Sequence, residues 1–143
     1  MSNPVPAGVE DAPALAALHA TAFTGDEAWD ADAMAELLEG LGCYALWVPG
    51  QGFIMARAIA GEAEVMTIAV APGFRRQGVG AALMRGAIQV AKAYGAETIF
   101  LEAAENNNAA LQLYHLLGFE KAGIRRRYYS DGTDALLLSL NLC

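Results

Sequence analysis

Charged residues, cysteines and long apolar runs are all scarce in this sequence of 143 residues. Only 17% of the residues are charged, and two are cysteines. No apolar run reaches the roughly 18 residues that a membrane-spanning helix needs. The N-terminal residues lack the basic and apolar regions of a secretory signal. We therefore expect a cytoplasmic protein that spans no membrane and requires no disulfide bond.

Basic residues and metal-ligand clusters are also few. Nine Lys and Arg accompany sixteen Asp and Glu, and the formal net charge is −7. This balance argues against nucleic-acid binding, which needs a basic surface. No Cys or His cluster has zinc spacing, so we expect no metal. Residues 1–64 hold ten acids with Arg57 as their one base, which suits a cationic partner, although a surface that only confers solubility gives the same asymmetry.

Apolar residues make up 55% of the chain, enough for a folded core, and the length fits one domain over residues 1–143. Periodicity and turn residues predict the order α-α-β-β-β-α-β-α-β-β, with a further short strand near 4–7. This order is that of a mixed α/β (α+β) sheet with helices on both faces. The second helix is expected to begin at Asp30 and to carry Leu41. The last two strands are expected at 123–129 and 134–141.

The segment RRQGVGAAL, from Arg75 to Leu83, follows a predicted strand and begins a long predicted helix. The first N–H groups of a helix are unpaired and attract anions, and the glycines Gly78 and Gly80 allow a phosphate to approach the backbone. The segment lacks the Gly-Lys-Ser/Thr of a Walker loop, and Leu83 stands where the dinucleotide fingerprint needs its third glycine. A helix start that is merely softened by glycine is the alternative interpretation.

The pattern Arg-x-x-Gly-x-Gly, formed by Arg75, Gly78 and Gly80, resembles the coenzyme A pyrophosphate loop of the GNAT acetyltransferases. The resemblance extends over nearly the whole chain. It implies a GNAT fold, in which a mostly antiparallel sheet of six to seven strands is flanked by four helices and splayed centrally to admit acetyl-CoA. It further implies that the strand before the loop pairs with the pantetheine arm. The residues expected to bind acetyl-CoA are Ile68, Ala69, Val70, Arg75, Arg76, Gln77, Gly78, Val79, Gly80, Ala81 and Asn107.

Within this superfamily the chain is most similar to the RimI-like enzymes, which acetylate the N-terminal α-amine of a ribosomal protein. In those enzymes a glutamate ends one strand and a tyrosine lies in the next helix, and Glu102 and Tyr114 occupy these places. An attacking amine must lose a proton and a departing thiolate must gain one, which a carboxylate and a phenol can supply. Taken singly, a surface acid and a packed helix aromatic explain the two residues as well.

Four other residues receive simpler interpretations. His19 and His115 lack partners for a catalytic triad and are taken as ordinary helix positions. Cys43 has no adjacent base that would make it an acyl-carrying nucleophile, so direct attack by the amine is preferred. Asn107 is suited both to capping a helix and to contacting the cofactor.

Tyr128 and Tyr129 resemble a tyrosine pair that grips the substrate peptide in N-terminal acetyltransferases, although two aromatics decorating a hairpin would look the same. Deprotonating a lysine costs about 3–4 kcal/mol more than deprotonating an α-amine, which favours an α-amine for a single carboxylate base. The expected acceptor is an N-terminal alanine of a ribosomal protein, and the chain is expected to be a monomer or a homodimer. A small-molecule amine, a protein lysine and a non-catalytic CoA-binding regulator remain the alternatives.

Overall fold

The structure, a computed structural model, describes residues 3–23 and 25–143. In these ranges, seven strands and four α-helices follow one another in the predicted order. The further short strand predicted near 4–7 is among them. The strands are β1 (Val5–Ala7), β2 (Cys43–Val48), β3 (Gly52–Ile59), β4 (Glu62–Val70), β5 (Thr98–Ala104), β6 (Glu120–Arg125) and β7 (Ala135–Asn141). The helices are α1 (Ala12–Ala22), α2 (Ala31–Leu38), α3 (Val79–Ala93) and α4 (Asn108–Leu116).

The strands form one sheet in the order β1-β2-β3-β4-β5-β7-β6. All neighbouring pairs are antiparallel except β4 and β5, which are parallel and pair only between Glu62–Glu64 and Thr98–Phe100. Just beyond this contact, β4 carries an extra residue, Met66, between the partners of Ala56 and Met55. Such a bulge bends its strand. The remaining halves of β4 and β5 do not pair, so the sheet is splayed at its centre as expected.

Side chains of alternating strand residues supply two cores, one on each face of the sheet. On one face, Ile54 packs with Leu83 of α3 and Tyr114 of α4. On the other face, Phe53 packs with Leu15 of α1 and the side chains around it. The two helix layers therefore hold opposite faces of the same strands, and the gap between β4 and β5 opens between them.

Helix α2 begins as predicted, because the Asp30 carboxylate accepts a hydrogen bond from the Ala33 N–H at 2.8 Å. The expectation that this helix carries Leu41 was wrong. The helix ends at Leu38, and Gly42 turns the chain with a φ of 76°. Leu41 is consequently outside the helix and 81% exposed, instead of packing on the apolar face.

The penultimate strand was also predicted too late in the chain. It covers Glu120–Arg125 instead of 123–129, and a loop follows it. Arg127 has a φ of 54°, and its N–H donates to the Asp134 carboxylate at 2.8 Å instead of to a neighbouring strand. This local bond ends the strand, and Tyr128 and Tyr129 lie in the loop.

None of the helices within residues 3–23 and 25–143 combines the length and apolar character needed to cross a membrane.

Candidate functional site

The separation of β4 from β5 leaves an open groove of about 1560 Å³. Its walls come from both strands, from the connection between α1 and α2, from α4 and from the loop between β6 and β7. Six of the predicted site residues border it, namely Ile68, Glu102, Asn107, Tyr114, Tyr128 and Tyr129. The fold therefore brings the predicted acid–base pair and the predicted substrate tyrosines to one cleft.

Glu102 lies on β5 where that strand has parted from β4, and its two carboxylate oxygens have different surroundings. Oε1 forms an ion pair with the Arg125 Nε at 3.0 Å. Oε2 is buried and has no hydrogen-bond partner among the described residues. A buried carboxylate oxygen without a donor is unfavourable and uncommon in folded proteins. Oε2 therefore marks a position where a donor from a ligand would be stabilised.

Tyr114 is buried on α4, where its ring packs edge-on against Phe119 with the centroids 5.9 Å apart. Burial, with a smaller contribution from Tyr129, raises the pKa of Tyr114 to about 12. The phenol is thus protonated at neutral pH and can act as a proton donor. Tyr114 thus packs in the core and also borders the groove, so its interpretation as a packed aromatic is compatible with its interpretation as a proton donor.

Tyr128 and Tyr129 meet edge to face in the loop between β6 and β7, with ring centroids 5.1 Å apart. Tyr128 is exposed, and the Arg125 guanidinium lies 5.5 Å from its ring centroid. The pKa of Tyr129 is raised by burial first and then by the negative charge of Glu102. These contacts connect the tyrosine pair electrostatically to the carboxylate in the groove.

The same loop is joined to the connection between α1 and α2. The Ser130 hydroxyl donates to the Glu27 carboxylate at 3.0 Å, across 103 positions of sequence. Both residues are exposed and border the groove. This bond brings together two segments that sequence patterns alone do not relate.

The edge of β4 that faces the groove carries backbone N–H and C=O groups that do not bond to β3. The Ala71 N–H donates to the Gln51 carbonyl at 2.8 Å, and hydrogen-bonded pairs alternate along an antiparallel ladder. By this alternation the backbone of Ala69 is engaged with β3, whereas Ile68 and Val70 turn theirs toward the open edge. Of the three residues expected along a pantetheine arm, two therefore have the suitable backbone orientation.

The loop from Arg75 to Ala81 lies at the end of β4 and begins α3. Arg76 and Gly78 both adopt positive φ, 62° and 83°, and Gly78 is the residue before the first turn of the helix. No side chain caps that turn, and it contains no acidic residue. Its first N–H groups, those of Val79, Gly80 and Ala81, are thereby left for an anion.

Three side chains of this loop have distinct positions. The Arg75 Nε donates to the Val70 carbonyl at 3.2 Å, which ties the loop to the open edge of β4. Gln77 donates to the Gly73 carbonyl at 3.1 Å. Arg76 is exposed. The loop thus presents a cationic surface together with uncapped amides.

Asn107 caps α4, because its side-chain oxygen accepts from the Ala110 N–H at 3.2 Å. It is exposed beside the groove. The capping interpretation is therefore confirmed. The side-chain amide nitrogen, which the cap does not use, is a donor available for the predicted cofactor contact.

His19 was wrongly interpreted as an ordinary helix position. It is 1% exposed and its ring is stacked between Phe23 and Trp29, with centroids 4.2 and 4.9 Å away. The Trp29 N–H donates to Nδ1 at 3.1 Å, so the neutral ring carries its proton on Nε2, which lies 3.1 Å from the Thr67 hydroxyl. His19 thus links three elements beside the groove: α1, β4 and the segment that precedes α2. The other histidine, His115, is exposed.

The sequence held one signal for this arrangement. His19 is a polar residue on the apolar face of α1, four positions after Leu15, and the aromatic residues Phe23 and Trp29 follow it in the sequence. Its partners, Trp29 and Thr67, lie 10 and 48 positions away. Helical periodicity cannot identify such distant partners.

Within the part of the chain that the structure describes, no group of three His, Cys, Asp or Glu is arranged to hold a metal ion. Cys43 and Cys143 are both free thiols.

The buried His19 should make stability depend on pH. Burial lowers the pKa of His19 from 6.5 to about 4. The unfolded chain binds a proton as the pH falls through about 6.5, whereas the folded chain does so only near 4. Stability should therefore decrease over this window, by about 3 kcal/mol in total. Urea unfolding at pH 7.5 and 4.5 should show that His19→Phe is less stable than wild type and that the difference narrows at the lower pH.

The matched control for that measurement is His115→Gln, which changes the exposed histidine and should keep the wild-type pH dependence. An equal gap between wild type and His19→Phe at both pH values would contradict the assignment of a neutral buried ring.

Comparisons with known proteins agree with this geometry. A model of the family described as "Acetyltransferase (GNAT) family" matches residues 14–119. The chain is 41% identical over 91 residues to the "[Ribosomal protein bS18]-alanine N-acetyltransferase" of Escherichia coli (strain K12), in an alignment that spans 62% of each chain. It is 33% identical over 134 residues to the "N-alpha-acetyltransferase RimI" of Mycobacterium tuberculosis (strain ATCC 25618 / H37Rv), covering 87% of this chain and 83% of that one.

The fold is likewise shared with solved structures. The ribosomal-protein-S18-alanine N-acetyltransferase from Escherichia coli superposes with a TM-score of 0.84 at 32% identity, covering 99% of this chain and 94% of that one. The family model matches well over half of the sequence, and the superposed enzyme shares the fold over nearly the whole chain. This chain belongs to the GNAT acetyltransferase family.

Proposed function

We propose that this chain transfers the acetyl group of acetyl-CoA to the α-amine of a protein N-terminus, most specifically to an N-terminal alanine of a ribosomal protein. The observation that carries this proposal is Glu102, which borders the groove between β4 and β5 and has a buried carboxylate oxygen, Oε2, without a hydrogen-bond partner among the described residues. An incoming ammonium group would supply the donors that this oxygen lacks. Residues 1–143 would act as one catalytic domain in the cytoplasm, where ribosomes and acetyl-CoA are available.

The proposed path of acetyl-CoA follows the free backbone groups. Its pyrophosphate would bind the uncapped amides that begin α3, assisted by the exposed Arg76. Its pantetheine arm would pair with the open edge of β4 at Ile68 and Val70, if Arg75 releases the Val70 carbonyl. The acetyl end would then lie in the groove that Glu102 and Tyr114 border.

The proposed chemistry is direct attack by the amine. Glu102 would take a proton from the ammonium through Oε2, directly or through one water, and leave a neutral nucleophile. As the new C–N bond forms and the C–S bond breaks, Tyr114 would donate its proton to the departing sulfur. A pKa of about 12 keeps that proton in place until a thiolate develops. The second proton lost by the nitrogen would reprotonate the Tyr114 phenolate through solvent, and Glu102 would release its proton to solvent.

Several features favour an α-amine as the acceptor. Relatives at 41% and 33% identity are named as N-terminal acetyltransferases, the first specific for alanine of ribosomal protein bS18. The acids Glu27 and Asp131 border the groove and would attract a cationic N-terminus and a basic peptide behind it. An α-amine also loses its proton about two pH units more easily than a lysine does.

The acceptor proposal is tested with two peptides of one sequence. One carries a free N-terminal alanine, and the other carries a blocked terminus and an internal lysine. We expect release of free CoA with the first peptide and about 100-fold lower kcat/KM with the second, since deprotonating lysine costs more. Equal or higher activity on the lysine peptide would contradict the proposal. Activity on neither peptide, with acetyl-CoA still bound, would indicate a small-molecule amine or a non-catalytic CoA-binding protein.

The catalytic roles are tested by Glu102→Gln and Tyr114→Phe, which preserve shape and remove the proton-transfer groups. Each should lower kcat about 100-fold or more while the affinity for acetyl-CoA changes little. Steady-state kinetics and calorimetry separate these two effects. Wild-type turnover of Glu102→Gln across the pH range would assign the base to water or to another residue.

The anion site is tested at Gly80, where a methyl group would lie in ordinary contact, 3.5 Å from Leu113 and 3.8 Å from Val70. Gly80→Ala should fold, and Gly80→Glu should weaken acetyl-CoA binding by about tenfold or more, because it adds negative charge beside the helix N-terminus. Gly80→Gln is the matched control, since it adds the same bulk without the charge. Calorimetry that finds equal affinity in folded Gly80→Glu and Gly80→Gln proteins would remove the electrostatic argument.

A further inference from the structure

We propose that Arg125 is a positioning residue for the base: it holds one oxygen of Glu102 so that the other faces the acceptor amine. This inference rests on the proposed function of Glu102. Arg125 is the one residue that forms an ion pair with Glu102 within the described ranges. Its Nε donates to Oε1 at 3.0 Å, and Oε2 stays unpaired.

The sheet explains how residues on two non-neighbouring strands meet. Glu102 on β5 is in register with Leu137 on β7, and Leu137 is in register with Gly123 on β6. Gly123 has no side chain to fill the position two strands from Glu102. Arg125, two residues further along the same face, reaches diagonally across β7 from its place beside Ala135. The distance across two strand spacings, roughly 10 Å, needs a long side chain of this kind.

A contact on the other side of the Arg125 guanidinium helps to orient this side chain. The group lies 5.5 Å from the ring centroid of Tyr128, a distance typical of a cation–π contact. Arg125 is thereby held between the proposed base and one of the two tyrosines proposed to grip the acceptor. Because a single N–H···O contact engages Oε1 alone, rotation of the carboxylate is restricted while Oε2 keeps its hydrogen-bonding capacity unused. The arrangement couples the position of the acceptor loop to the orientation of the base.

The exposure of Arg125 indicates that its ion pair contributes little to the stability of the fold. Its side chain is 60% exposed, and exposed ion pairs contribute little to the free energy of unfolding. Loss of Arg125 should thus leave the fold intact. The next residue, Arg126, pairs with Asp134 at 3.6 Å and does not engage Glu102. It provides a control of the same type, one position away in the same basic run.

The experiment compares Arg125→Ala and Arg126→Ala with wild type on the peptide that carries a free N-terminal alanine. We expect Arg125→Ala to lower kcat about 10- to 100-fold, the range expected for a displaced catalytic group. The KM for acetyl-CoA and the thermal midpoint should stay close to wild type. Arg126→Ala should keep kcat within about twofold, because it leaves the contact to Glu102 in place.

Chemical rescue separates positioning from a structural role. Added methylguanidinium should restore part of the kcat of Arg125→Ala, since the free cation can occupy the vacated place beside Oε1, and should leave Arg126→Ala unchanged. A kcat of Arg125→Ala equal to that of wild type or of Arg126→Ala would overturn the inference, as would a loss that methylguanidinium does not relieve. A wild-type protein inactive on this peptide would instead overturn the proposed function itself, together with the inference built on it.

Discussion

The structure depends on the early end of the pairing between β4 and β5. These central strands are parallel and remain together for only three residue pairs. A continued ladder would satisfy the backbone of both strands and close the sheet. The bulge at Met66 bends β4 away, and the helices on the two faces hold the strands in this splayed arrangement. The groove, the free edge of β4 and the position of Glu102 all follow from this one interruption.

Three sets of polar groups that the helix and sheet hydrogen bonds leave out lie in order through the molecule, and among them the Val70 carbonyl accepts from the Arg75 side chain. The order begins at the uncapped amides of α3, passes along the outward backbone of Ile68 and Val70, and ends at Oε2 of Glu102. Of these groups, the buried Oε2 of Glu102 is unfavourable in the isolated protein, because no hydrogen bond from the described residues compensates for its burial. The order of the three sets also describes a ligand that is anionic at one end, amide-like in the middle and reactive at the other end. This match between the three sets and ligand chemistry is the main physical argument for acetyl-CoA.

Much of this arrangement could be predicted from the sequence, because the deciding signals are local. The glycine spacing around Gly78 and the strand-to-helix order predicted where α3 begins and indicated an anion site there, and the resemblance to the RimI-like enzymes singled out Glu102 and Tyr114. What escaped prediction depends on contacts between distant segments. The buried state of His19 requires Thr67, 48 positions away. The end of β6 at Arg125 depends on the Asp134 carboxylate, which captures the Arg127 N–H from the opposite side of the loop.

The bond between Ser130 and Glu27 has a consequence for how molecules enter and leave. It joins two segments that border the groove, yet both of its residues are exposed, and a single exposed hydrogen bond contributes only about 1 kcal/mol. Displacing this bond therefore costs little free energy and leaves the cores on either face of the sheet in place. The acceptor peptide and the product of the proposed reaction could therefore pass between these two segments without any loss of the fold.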